Sequence, residues 1–151
     1  MQYYNESEFL IETIVPEHEL IISRTDLYGI ITHANETFCD ISGYEEEALI
    51  GKSHNIVRHP DMPRAVFKEM WESLKSKKQW SGFVKNIRKD KGYYWVHARV
   101  SGVYKDDKLV EYKSLRSPVS FKDKLKYQKL YDAMRQKSGE MSRKIIYEEN
   151  K

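Results

Sequence analysis

The chain has 151 residues, a net charge of +3 and 40% apolar residues, which suits one domain with a single core. That charge is mild and is not gathered into a Lys/Arg block, so no nucleic-acid arm is indicated. A single cysteine, Cys39, excludes a disulfide framework within the chain and fits a reducing compartment.

No apolar run is long enough to cross a bilayer, and the opening "MQYYNESEFL" lacks the basic start and apolar core of a signal peptide. The expectation is a cytoplasmic protein with no direct membrane span. Eleven Tyr, five Phe and three Trp supply much of the material for its core.

In chain order, "NESEFLIETIV" opens on a capping residue, Asn5, and places Leu10, Ile11 and Ile14 at helical spacing until Pro16. A short N-terminal helix is expected there. "ELIISRTD" and "IITHAN" read as two strands joined by the turn "LYG". Asn35 then has the position of a helix N-cap for "ETFCDIS", which ends near Gly43, and "EEEALIG" adds a helical turn closed by Gly51.

The stretch "HNIVRHPDMP" follows, from His54 to Pro63. Pro60 and Pro63 make it rigid and irregular, and it is densely polar. In "PRAVFKEMWESLKSKK", Val66, Phe67, Met70, Trp71 and Leu74 form an apolar stripe, and basic residues gather at the end as a helix C-terminus favours. Three strands come next: "WSGFVKNIRKD", "YYWVHARVSGVYK" and "KLVEYKSLRSPV", with turns at "KDKG" and "DD". From Phe121 the chain reads as helix, with Tyr127, Leu130, Tyr131 and Met134 at i, i+3, i+4, i+7.

Two strands, a helical crossover and three more strands indicate an α+β fold. A five-stranded antiparallel sheet would carry short helices on one face, with flanking helices at both termini. The division expected is an N-terminal cap helix over 1–18, a sensor domain over 19–119 and a C-terminal helix over 120–151. The space between helices and sheet is the natural ligand pocket.

From about Arg24 to Ser117 the chain resembles a PAS domain. Its generic marks are "NETF", "SGY", "LIGK" and the later "W-x-G". "HNIVRHPDMP", "QWSG" with "VKN", and "YYWV" are similar to PAS domains of the bacterial aerotaxis-receptor type. The resemblance implies noncovalent binding of FAD and a redox or energy-taxis role, not an enzymatic one. It implies a stand-alone sensor acting on a methyl-accepting membrane chemoreceptor supplied by a separate chain, and leaves a homodimer open. The other readings are a haem-binding gas sensor and a cofactor-free PAS adaptor, although "PRAVFKEMWESLKSKK" holds no His for a haem iron.

Against that resemblance the candidate residues gain roles. A buried diphosphate needs cations or N–H donors, and the chain has no GxGxxG loop, so Arg58 is the candidate donor. His59 would bond the cofactor or fix the loop. Asp61 has two readings, the N-cap of the following helix with Arg64 N–H as donor, or a carboxylate that holds Arg58. His54 and Asn55 bond either ligand or loop backbone.

Trp80 is read as a pocket wall beside the flavin, and Asn86, six residues on, shares its strand face and offers both donor and acceptor. Asn35 is a helix cap first and a cofactor contact second. Phe67 faces the presumed pocket, with packing as its default. Trp71 and Trp95 are read as core. Light-sensing flavin PAS domains carry a reactive Cys in an Asn-Cys-Arg-Phe motif. Here that region reads "HNIVRHP", so no light-driven cysteinyl adduct is expected.

Overall fold

The computed structural model describes residues 11–140. Strands β1 (Ile21–Thr25) and β2 (Ile31–Ala34) form the first hairpin. Its turn is held by Asp26, whose Oδ1 accepts from the N–H groups of Tyr28 at 2.8 Å and Ile30 at 3.0 Å. Helices α1 (Glu36–Ser42) and α2 (Glu46–Leu49), a 3-10 turn at His54–Val57 and helix α3 (Arg64–Lys77) form the crossover. Strands β3 (Gln79–Ile87), β4 (Tyr93–Lys105) and β5 (Lys108–Ser117) return as a meander, and α4 (Phe121–Ser138) closes the order.

The five strands make one antiparallel sheet in the order β2-β1-β5-β4-β3. The α+β expectation is therefore met. The β4–β5 turn works because Asp106 and Asp107 both take positive φ, 51° and 65°, the twist that a tight hairpin requires.

Asn35 does two structural jobs with one oxygen. Its Oδ1 accepts from Phe38 N–H and from Ile22 N–H, both at 3.0 Å, so α1 is capped and tied to β1 together. Gly43 ends α1 with φ 79°, the left-handed cap that glycine adopts without strain.

Alternation assigns the two faces of the sheet. Trp80, Val84 and Asn86 of β3 lie on the helix-covered inner face, with Val96 and Ala98 of β4. Phe83 and Lys85 lie on the outer face, where α4 packs. Phe83 stacks on Tyr127 at 4.3 Å, Trp95 on Tyr131 at 6.3 Å, and Tyr131 O–H donates to the Phe83 carbonyl at 2.6 Å. Most of the α4 stripe thus covers this protein's own sheet, while Leu130 remains 46% exposed.

Two local expectations are corrected. The residues from Ile11 to Val15 carry no helix. Thr13 N–H donates to the Tyr93 carbonyl at 2.8 Å and Tyr93 N–H to the Ile11 carbonyl at 3.0 Å, so backbone pairing with β4 replaces helical bonding. The rest of the expected N-terminal helix, with Asn5 and Leu10, lies outside the described residues, as does the chain beyond Glu140.

Asp61 is not the cap of α3. The Arg64 N–H donates instead to Glu140 Oε2 at 2.9 Å. That carboxylate arrives from the end of α4, 76 residues away in sequence.

Candidate functional site

A cavity of about 310 Å³ opens between α3, the His54–Val57 turn and the inner faces of β1 and β5. It is large enough for part of a small organic ligand. Five of the nine residues singled out from the sequence line it: His54, Asn55, Arg58, Phe67 and Asn86. They arrive from three elements. The 3-10 turn and its end supply the first three, α3 supplies Phe67, and the edge strand β3 supplies Asn86. An isolated bridge between Arg58 and Asn86 brings the loop and β3 together.

Arg58 lays its guanidinium over the Phe67 ring, 4.1 Å from the centroid. Burial lowers its pKa, and the Glu140 carboxylate acts in the opposite sense. It does not pair with Asp61.

Asn35, His59, Asp61 and Trp80 do not line this cavity. Asn35 spends its amide on backbone, with Nδ2 donating to the Leu20 carbonyl at 2.9 Å. His59 is fully buried, accepts Asp61 N–H on Nδ1 at 2.9 Å, and meets the edge of Tyr93. Asp61 Oδ2 accepts from Lys85 Nζ at 3.0 Å. The same ammonium donates to Gln128 of α4 at 3.0 Å and lies over Tyr93. Arg135 of α4 adds a bond to the Asp61 carbonyl. The loop end at His59–Asp61 therefore wraps the sheet edge and fastens to α4 on the outer face.

Trp80 donates its indole N–H to Glu69 of α3 at 3.1 Å and lies across Gly82. A Cβ at Gly82 would come 2.4 Å from Trp80 Cζ2, so glycine is required for this close approach. The indole wall of the cavity is Trp71, which is 38% exposed and edge-on to Tyr112 at 5.4 Å. The two tryptophans thus exchange the places expected of them. Trp95 is core, as its sequence position indicates.

The sequence reading passed over Arg116, Ser114, Ser23 and Tyr112, all on the cavity wall. Arg116 is 8% exposed. Its Nε donates to Ser114 Oγ at 2.9 Å and its Nη1 to Asn86 Oδ1 at 3.0 Å. Among the described residues no carboxylate pairs with it. Burial lowers its pKa, with Tyr94 opposing.

Nearby, the Tyr94 hydroxyl is buried without a hydrogen-bond partner among the described residues, and burial raises its pKa. His54 bonds Ser23 Oγ through Nε2 at 3.1 Å and stacks on Phe38. Enclosure of its ring, then the charge of Arg116, lower its pKa to about 3. The imidazole is neutral at pH 7, so Arg116 dominates the charge of the inner wall. A strand alternation of Tyr112, Ser114 and Arg116 carries the signal that would have found it: a cation on the inner face of a sheet whose inner face is covered.

The sequence profile of the PAS fold family matches residues 31–115, more than half of the chain. The chain belongs to the PAS fold family. It is 41% identical over 133 residues to the aerotaxis receptor of Escherichia coli strain K12, covering 88% of this chain. It is 32% identical over 94 residues to the nitrogen fixation regulatory protein of Klebsiella pneumoniae, covering 62% of this chain.

The PAS chain spans about a quarter (26%) of the receptor's length and 19% of the regulator's. Among solved structures, a light-oxygen-voltage domain studied with a flavin analogue superposes with a TM-score of 0.66 at 16% identity, covering 76% of this chain and 88% of that one. At that identity the likeness shows the shared PAS fold. No described helix is long and apolar enough to cross a membrane.

Proposed function

We propose that this PAS protein binds FAD noncovalently in the cavity and acts as a redox sensor for energy taxis, signalling by contact to a separate methyl-accepting membrane chemoreceptor. The observation that carries the reading is the donor set of one cavity: Arg58, Arg116 and Asn86 around aromatic walls from Phe67 and Trp71. Cations and N–H donors suit a diphosphate and the polar edge of a flavin, and aromatic walls suit its flat ring. The 41% identity to an aerotaxis receptor supports the same reading.

Within this reading Arg58 holds phosphate, Phe67 and Trp71 bound the ring, and Asn86 donates to its edge. Asn86 keeps its NH₂ for that purpose, because its oxygen already accepts from Arg116. Bound FAD would supply a group whose charge and hydrogen bonding change on reduction. The protein's part is to bind that group and pass on the change, without turnover of a substrate.

A path for that change runs from Asn86 to the neighbouring Lys85, and from Lys85 to Gln128 of α4. The contact surface for the receptor is sought on exposed apolar groups of the flanking segments. Ile11 and Ile14 are each 62% exposed and Leu130 46%. Phe9, which precedes Ile11 in the N-terminal segment and would belong to that surface, lies outside the described residues.

A visible spectrum of the purified protein is the first test. Flavin bands, with FAD released on heating, uphold the reading. A Soret band would turn it to a haem sensor, and a colourless protein that takes up no FAD would leave a cofactor-free adaptor. Co-purification of the protein with native membranes under oxidising and reducing conditions tests the receptor. Recovery only as a free species, with normal taxis after gene deletion, rejects that partner.

A further inference from the structure

Arg116 is a buried cation that no carboxylate pairs with among the described residues. Among the described residues its hydrogen-bond partners are an amide oxygen and a hydroxyl. Tyr94 and His54, the two groups whose titration its charge alters, are both held neutral by burial. A guanidinium stays charged even when buried, so it cannot escape this position by losing its proton. An isolated buried charge is costly unless something of opposite sign completes it. The cavity lies against it, and no carboxylate of the described protein supplies the complement.

We propose that Arg116 makes this cavity select the negatively charged form of a ligand's ring over the neutral form of the same ring. The proposal rests on the flavin reading and adds the residue that sets which ring charge is favoured. Arg116 lies deep against β5 and Asn86, whereas Arg58 lies under partial exposure beside Phe67 and Glu140. The deeper cation acts in the lower dielectric, and its field on the ring is the less screened of the two.

The probe is 8-hydroxy-FAD, whose ring gives up one proton to become a coloured anion, with no electron transfer involved. FAD-free protein is titrated with the probe across a pH series, and the ring's ionisation is read from its absorbance. Wild type is expected to shift the bound ring's ionisation downward by about one pH unit or more, a preference of about tenfold for the anion.

In Arg116→Gln the preference should fall below about threefold, while Arg116→Lys keeps part of it. If Arg116→Gln does not fold, Ser114→Asp gives the second reading, at the hydroxyl that accepts from Arg116 Nε and has no assigned contact with the ring. It leaves the guanidinium in place beside an internal carboxylate, and the ring preference should again collapse. Arg58→Gln should bind FAD more weakly and keep the ring preference.

Three results overturn the proposal. One is a bound ring that ionises as the free probe does. Another is full retention of the shift in Arg116→Gln. The third is a loss of FAD affinity in Arg116→Gln with the ring's ionisation unmoved, which would assign Arg116 to the diphosphate. Failure of wild type to bind either FAD or the probe is a different outcome, and it rejects the flavin reading itself together with what rests on it. As an independent check, a tenfold preference for an anionic reduced ring corresponds to about 30 mV in a two-electron midpoint potential.

Discussion

The sheet carries a buried cation on each face, and the two are completed in opposite ways. On the outer face Lys85 is bonded to Asp61 and Gln128, lies over Tyr93, and is sealed by α4. On the inner face Arg116 bonds, among the described residues, Ser114 and Asn86, beside a cavity. The outer cluster is a finished structural joint between loop, strand and helix. The inner one lies at a cavity, and among the described residues no carboxylate completes it. Polar burial that is satisfied within the protein fixes a fold, and polar burial that is not points to a ligand.

The largest effect expected is at the outer joint. Asp61→Ala removes the carboxylate from a buried ammonium and should destabilise the protein by about 3–5 kcal/mol in urea unfolding. Arg116→Met removes the whole inner cation and should cost the FAD-free protein less than about 1 kcal/mol, or stabilise it. Equal losses in the two variants would erase the distinction between joint and site.

The inner face should also show itself in acid. Between the ordinary histidine value near 6.5 and about 3, the unfolded chain holds a proton on His54 that the folded chain refuses. The stability from this group is therefore complete above pH 6.5 and is lost as pH falls through that window, by about 1.4 kcal/mol per pH unit. His54→Gln should lessen the slope of stability against pH over that range. An unchanged slope would mean that the ring is not enclosed as described.

Arg58→Ala should retain its fold, by circular dichroism, and lose FAD affinity about ten- to a hundredfold or more, from a charge-assisted bond of about 1.5–3 kcal/mol. Unchanged affinity would make Arg58 a surface group that merely covers Phe67. The smallest effect is expected at Cys39, which is half-buried on α1 and does not line the cavity. Blue light should leave the flavin spectrum of a Cys39→Ser variant and of wild type alike, with no stable adduct. A Cys39-dependent, reversible bleach would place the thiol at the flavin.

Local chemistry made much of the molecule legible. Asn35 and Gly43 bound α1 because a side-chain oxygen and a left-handed glycine each satisfy helix ends without help from elsewhere. Alternation and the Asp106–Asp107 turn defined β4 and β5, and the stripe of α3 faced inward at Val66 and Leu74. The stretch at His54–Pro63 is irregular, as its prolines indicate, but it splits in use. Its first half lines the cavity and its second half joins the outer face.

That split depends on tertiary structure. Asp61 is close to Arg58 and Arg64 in sequence, yet its ion pair is with Lys85, 24 residues on, because the loop turns around the β3 edge. The cap of α3 comes from Glu140 only because α4 ends beside it. Trp71 and Trp80 have equal claims as aromatic residues on apolar faces. The approach of α3 to β3 puts Trp80 against Glu69 and leaves Trp71 at the cavity.

By itself the sequence determined the elements from β1 to α4 and their order, since periodicity, caps and turns act over a few residues, and its motifs carried the resemblance to the PAS fold. It did not determine which cations are completed from within and which face a cavity. Charge compensation is a matter of ångströms between segments far apart in the chain, and only the folded sheet, with a loop around its edge and helices on both faces, decides those distances.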